Sequence, residues 1–233
     1  MRLVDKNLTQ EDDDQMAKVF LSAGHGGSDV GAVSNGLYEK TVNLNTLLAC
    51  KSELERHGVA VVCSRTTDVN DPVSDETKEA NASGVDIAVS FHANAGGGDG
   101  FEAFYFSSSS DGKKLAALCE KYVKTLGQNS RGLKTGDHLY FIRKTKMTAV
   151  LVESFFVDNA KDKLIGDTVA EHTSFGVAYA KAILDYLGIT YKENNTTSKK
   201  NVHRVQVGAF SDKTNAEAMK KKLKTAGFEA III

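Results

Sequence analysis

Apolar runs of strand length alternate with longer stretches of helical period over most of this chain. Residues 18–23 (Lys-Val-Phe-Leu-Ser-Ala) form an apolar run closed by Gly24, which predicts a buried strand. Over residues 39–57 the apolar positions Val42, Leu44, Leu47, Leu48 and Leu54 recur before Gly58, predicting a helix with Glu39 in its first turn. The alternation continues with a strand at 59–63, a helix at 75–82, a strand at 86–91 and an aromatic-rich strand at 101–106. A helix at 111–126 presents Leu115, Leu118, Cys119 and Tyr122 on one face. A strand at 149–152 and a helix at 168–187, packed through Val177, Ala180, Ile183, Leu184 and Leu187, complete the series. Strands and helices in this order predict an α/β fold, an αβα sandwich whose mainly parallel sheet is covered on both faces.

Beyond residue 188 the pattern changes. Residues 189–201 are polar and aperiodic, with Asn194-Asn195-Thr196-Thr197-Ser198, and are expected to form a linker. Residues 202–233 predict a small β-α-β unit: a strand through Val205 and Val207, caps at Ser211 and Asp212, and a helix with Ala216, Met219, Leu223 and Ala226 on one stripe. Lys220, Lys221, Lys222 and Lys224 fall largely on the other side. Charge follows the same division. The 233 residues have a formal net charge of -1, but residues 189–233 carry nine Lys or Arg against four Asp or Glu, so a basic tail follows an acidic body. An anionic partner for the tail and an ordinary solvated helix face both account for that.

The remaining bulk features narrow the setting. Residues 1–16 contain the acidic run Glu11-Asp12-Asp13-Asp14 and no apolar core of a signal peptide, and no stretch is long enough to span a bilayer. Neither membrane insertion nor a nucleic-acid partner is expected. Cys50, Cys63 and Cys119 form no C-x-x-C pattern, which fits free thiols made in a reducing compartment.

Candidate chemistry is concentrated in four strings: Gly24-His25-Gly26-Gly27, Leu37-Tyr38-Glu39-Lys40, Ser90-Phe91-His92-Ala93-Asn94, and Glu153 after the apolar run Val150-Leu151-Val152. Two imidazoles and a carboxylate suit a catalytic zinc with one position left for water, and a second carboxylate is then free to handle protons. That is the chemistry of metal-assisted amide hydrolysis. His25, His92 and Glu153 are each expected at or just after the C-terminal end of a strand, where open α/β sheets place their sites. Taken alone, His25 reads as a turn residue, Glu39 as a helix-dipole partner and His92 as a core histidine. Glu153, ending an apolar strand, is costly without a function.

As a set, these strings, together with Glu153-Ser154-Phe155-Phe156-Val157-Asp158-Asn159, resemble the zinc-dependent N-acetylmuramoyl-L-alanine amidases of the amidase-3 type, over roughly residues 17–188. The resemblance implies an αβα sandwich, His25, Glu39 and His92 as ligands of one Zn²⁺, and Glu153 as the catalytic glutamate. It also implies bacterial peptidoglycan as substrate, cut between the lactyl group of N-acetylmuramic acid and L-alanine of the stem peptide. Further candidate substrate contacts are Asn94, which could also orient His92, Glu102 beside the metal ligands, His138, and Arg143 as partner of a stem-peptide carboxylate. The glycine-rich loop at 95–100 lacks the Lys-Ser/Thr pair of a phosphate-binding loop and is expected to be a flexible rim.

Val205-Gln206-Val207-Gly208-Ala209-Phe210-Ser211 resembles the opening of a SPOR domain, a peptidoglycan-binding module. Residues 202–233 supply about one of its two β-α-β halves, which leaves an open sheet edge. Pairing with a copy in a second chain, or truncation, is expected over a working monomeric binder. The enzyme reading implies a cytoplasmic product that reaches the wall after lysis or through a phage pore. The alternatives are a non-catalytic wall binder, which predicts loss of the proton-handling carboxylate, and another zinc peptidase or deacetylase, for which the additional ligands of a second metal are missing from the motifs.

Overall fold

The computed structural model describes residues 16–34, 36–193, 208 and 210–225. Two compact units are present, residues 1–192 and 193–233. In the first, β1 (Lys18–Ala23) is followed by a short hairpin of β2 (Val33–Ser34) and β3 (Leu37–Tyr38), then α1 (Glu39–Arg56), β4 (Ala60–Cys63), α2 (Val73–Ala82) and β5 (Ile87–Asn94). Next come β6 (Phe101–Tyr105), α3 (Ser110–Lys124), β7 (Ser130–Thr135), α4 (Tyr140–Lys144), β8 (Thr148–Phe156), α5 (Lys163–Gly166) and α6 (Val169–Tyr186). Six strands form one sheet in the order β4-β1-β5-β8-β6-β7. Neighbours from β4 to β8 are parallel, β6 runs antiparallel to β8, and β7 is parallel to β6. The expected mainly parallel sheet is present, with one reversal.

Strand period sorts the side chains into two layers of core. Val19, Leu21, Val89, Phe91, Val150 and Val152 face one way and pack with α1, α3 and α6 residues such as Leu47, Leu115 and Ile183. Phe20, Ala88, Ala149 and Leu151 face the other way, against Ala80 of α2 and Phe141 and Ile142 of α4. The sandwich is therefore unequal. Three long helices cover one face, and only short α2 and α4 cover the other. On the thick side, Gly176 of α6 lets α1 approach closely: a Cβ there would lie 2.4 Å from the carbonyl oxygen of Thr46. At the start of α6 a reciprocal cap joins the Thr168 hydroxyl to the Glu171 amide and the Glu171 carboxylate to the Thr168 amide, worth about 1 kcal/mol.

Several expectations need correction. Strand β5 extends to Asn94 and β8 to Phe156, so His92 and Glu153 lie within strands, because ladder pairing continues past the apolar run. Leu48 is exposed on the outer face of α1. Residues 189–192 belong to the first unit: Ile189 and Tyr191 pack on its core, Tyr191 donates to Glu53, and the Lys192 amide donates to His57. In the second unit, α7 (Lys213–Thr225) forms as expected, with Ala216, Met219 and Leu223 as its half-buried stripe and Asp212 accepting from the Thr214 amide. Residues 1–15 of the acidic segment expected at 1–16, residues 202–207 and 209 of the first strand expected in the second unit, and its second strand at 228–233 lie outside the described residues; Gly208 and Phe210, which are described, are not in a strand.

Candidate metal centre

His25 leaves the end of β1 with φ +65, the left-handed region that a non-glycine residue seldom adopts. Its neighbours make the turn feasible. A Cβ on Gly24 would lie 2.1 Å from the His92 ring, and one on Gly26 would lie 2.2 Å from the Val69 carbonyl. Glycine is thus required on both sides of His25, once to seat the second imidazole and once to let the following loop close. Glu39 is the first residue of α1, and His92 projects from β5. The three residues come from elements far apart in sequence, and one donor atom from each lies within 4.8 Å of the others.

Glu39 sits between the imidazoles, with Oε2 3.2 Å from His25 Nε2 and Oε1 3.1 Å from His92 Nδ1. Two imidazoles and one carboxylate are the donor types that zinc takes, and their grouping within 4.8 Å places them where one ion could be shared. Behind His25, its Nδ1 donates to Asp29 at 2.9 Å, which leaves Nε2 directed at the cluster. Asn43 donates to the Gly24 carbonyl at 2.9 Å and to Glu39 at 3.4 Å. The electrostatics follow from these contacts. The hydrogen bond to Glu39, opposed by burial, raises His25 to about 9. Burial opposes ionisation of Glu39, but hydrogen bonds from His25 and His92 outweigh it and hold the carboxyl well below its usual range.

Glu153 occupies different surroundings. It is the register partner of His92 on one side and of Glu102 on the other, so the three residues form a row across β5, β8 and β6. The row shares a face with Ala88, Leu151 and Phe104, on the thinly covered side of the sheet. Among the described residues, Glu153 Oε2 is buried without a hydrogen-bond partner. Burial, partly offset by His92 and reinforced by Glu39 and Glu102, raises its carboxyl to about 7. A carboxyl raised to about 7 beside three side chains that could hold a metal is suited to act as a general base and acid.

Glu102, buried next to Glu153, is neutralised by Arg131 and Lys134 of β7, each 2.5 Å from Oε1. Asn94 donates to Glu102 Oε2 at 3.3 Å and accepts from the Ala95 amide, so its side chain turns toward Glu102 and not toward His92. His138 and Arg143 are placed elsewhere. Because β6 and β7 run antiparallel to β8, the segment following β7 emerges at the end of the sheet opposite the cluster. There His138 meets the edge of Phe104, and Arg143 of α4 lines a groove of about 280 Å³ with Phe106, Met147 and Thr148. The loop at 95–100 is tethered: the Gly96 and Gly97 amides donate to Asp158, the Gly100 amide donates to Asp162, and Asn159 donates to the Gly98 carbonyl. Sequence reasoning missed Asp29, whose signal was a carboxylate four residues after a histidine in a glycine turn. It also missed Arg131 and Lys134, which sit on a strand that was not anticipated.

The family model described as N-acetylmuramoyl-L-alanine amidase matches residues 19–185, and a SPOR domain model matches residues 176–233. The amidase CwlM of Bacillus licheniformis is 34% identical over 224 residues, covering 94% of this chain and 85% of that protein. The endolysin of Bacillus phage SPP1 is 37% identical over 198 residues, 78% of this chain and 70% of its own length. The catalytic domain of CwlV, an N-acetylmuramoyl-L-alanine amidase from Bacillus (Paenibacillus) polymyxa var. colistinus, superposes with a TM-score of 0.70 at 32% identity, over 75% of this chain and 100% of that domain.

Proposed function

The chain belongs to the N-acetylmuramoyl-L-alanine amidase family and is a peptidoglycan amidase, and we propose that His25, Glu39 and His92 hold its zinc while Glu153 moves the protons of the reaction. The observation that carries this reading is the convergence of two imidazoles and a carboxylate beside a buried, unpartnered carboxylate oxygen. When bound there, zinc would supply a Lewis acid for the scissile carbonyl and lower the pKa of a coordinated water.

The chain's own residues do the rest. Glu39 contributes the anionic donor, and its depressed pKa keeps it ionised throughout the neutral range. Asp29 fixes the His25 tautomer. Glu153, raised to about 7 by burial, takes a proton from the attacking water at Oε2 and returns it to the departing amide nitrogen of L-alanine. The charge pairing of Arg131 and Lys134 with Glu102 keeps a second buried anion from opposing that ionisation outright. The wall-binding role belongs to the second unit, supported by its SPOR match and the lysine face of α7. Release by lysis or through a phage-made pore is the accompanying reading for how the protein reaches its substrate.

Digestion of purified wall by wild type and Glu153→Ala, followed by mass analysis, tests the assignment. Wild type is expected to release new N-terminal alanine without new reducing sugar ends, and the variant to release neither. New reducing ends would identify a glycosidase instead.

A further inference from the structure

We propose that Arg65 is a positioning residue for the metal centre, a reading that rests on the zinc site proposed above. Its guanidinium is buried at the end of β4, and all four of its hydrogen bonds go to main-chain carbonyls. Nε donates to Ala23 at 2.9 Å, Nη2 to Lys40 at 2.8 Å and to Gly24 at 3.4 Å, and Nη1 to Thr67 at 3.2 Å. Ala23 and Gly24 immediately precede His25, and Lys40 immediately follows Glu39. One rigid side chain therefore ties the backbone of two ligands that arise on different elements.

The chemistry of that choice is informative. Among the described residues no carboxylate pairs with this buried cation, and Asp68, Asp71 and Glu76 act on it only through charge at longer range; such burial is costly, and apolar packing would fill the same volume at lower cost. A planar fork can reach carbonyls on two separate segments at fixed angles, whereas a lysine ammonium would hold one position loosely. The stretch after Arg65 completes the clamp. Asp68 accepts from the Gly27 amide at 2.8 Å, Lys40 Nζ bridges Asp68 and the Gly27 carbonyl, and Asn70 accepts from the Ser28 amide at 2.7 Å. The left-handed turn at His25 is thus gripped from outside on both sides of its ligand. Arg65 touches neither ligand side chain and acts through their backbone.

The test is zinc affinity, measured on the metal-free full chain by competition with a chromogenic chelator, at a temperature where circular dichroism shows each variant folded. Arg65→Ala is expected to bind zinc about 10–100-fold more weakly than wild type, with millimolar methylguanidinium restoring part of the loss. Arg65→Lys, which keeps the charge without the fork, is expected to bind at least severalfold more weakly, and decides the question if the alanine variant does not fold. Folded variants that bind zinc within twofold of wild type would overturn the inference, whatever their melting temperatures. Wild type that binds no zinc would sink the metal-site reading itself.

Discussion

Glu39 is buried and Glu153 is half-buried with one buried oxygen, both at the same end of one sheet, yet their surroundings push them in opposite directions. Glu39 is held between two imidazoles with a further amide from Asn43, and it stays charged. Glu153 stands in a strand, has one oxygen without a partner, and is raised to about 7. Burial alone favours the neutral form in both, so the partners decide the difference. A carboxylate surrounded by donors is suited to hold a cation, and one left short of donors is suited to pass a proton. Two chemically identical side chains are thus suited to different roles by their positions.

The comparison breaks most readily at Glu153. Glu153→Gln keeps the shape and removes the proton transfer, so hydrolysis of purified wall should fall by about 10²–10⁴-fold. Its zinc content by atomic absorption should match wild type; loss of the metal would instead place Glu153 among the ligands.

Another buried carboxylate serves as a control. Glu76 accepts from the Ser22 hydroxyl at 2.7 Å and is raised by burial to about 7. Its folded pKa exceeds the ordinary 4.5, so its stabilising contribution is fully present below about pH 4.5 and is lost as pH rises through 7. Urea unfolding of the metal-free protein should show Glu76→Gln to be more stable than wild type by roughly 2–3 kcal/mol at pH 8 and equal to it near pH 4.5. A difference independent of pH would mean that burial does not set this group's charge.

Smaller effects sharpen the two sides separately. On the ligand side, Asp29→Ala should weaken zinc binding about 10–100-fold by calorimetry, because His25 loses the partner that sets its tautomer. On the proton side, Glu102→Gln removes a negative charge that raises Glu153 and frees Arg131 and Lys134 beside it. The acid limb of the pH–rate profile should then move to lower pH by about one unit or less. A shift to higher pH would show that Glu102 does not act on Glu153 through charge.

Much of this was legible in the chain because apolar periodicity and glycine punctuation report buried, regular elements. β1, α3 and α6 bury apolar faces, and the extents of these elements and of α1 follow the pattern closely. β7 did not announce itself: Ser-Arg-Gly-Leu-Lys-Thr carries one large apolar residue, and as an edge strand none of its residues is fully buried. Missing it hid the reversal of β6 and with it the reason that His138 and Arg143 fall at the far end of the sheet. The four central site positions stood out as a set, through the resemblance of their strings to the amidase-3 motifs; taken alone, only Glu153 at the end of an apolar run was chemically expensive. Arg65 acts through hydrogen bonds that no linear spacing reveals, and only the folded chain brings it to the backbone beside the ligand positions.

The most direct test of the central claim is a crystal structure of the zinc-loaded protein with anomalous data collected at the zinc edge. The account predicts one peak bound by nitrogen atoms of His25 and His92 and an oxygen of Glu39, with solvent in the remaining position and Glu153 outside the coordination shell. A peak bound by Glu153, or placed away from these three residues, would contradict it.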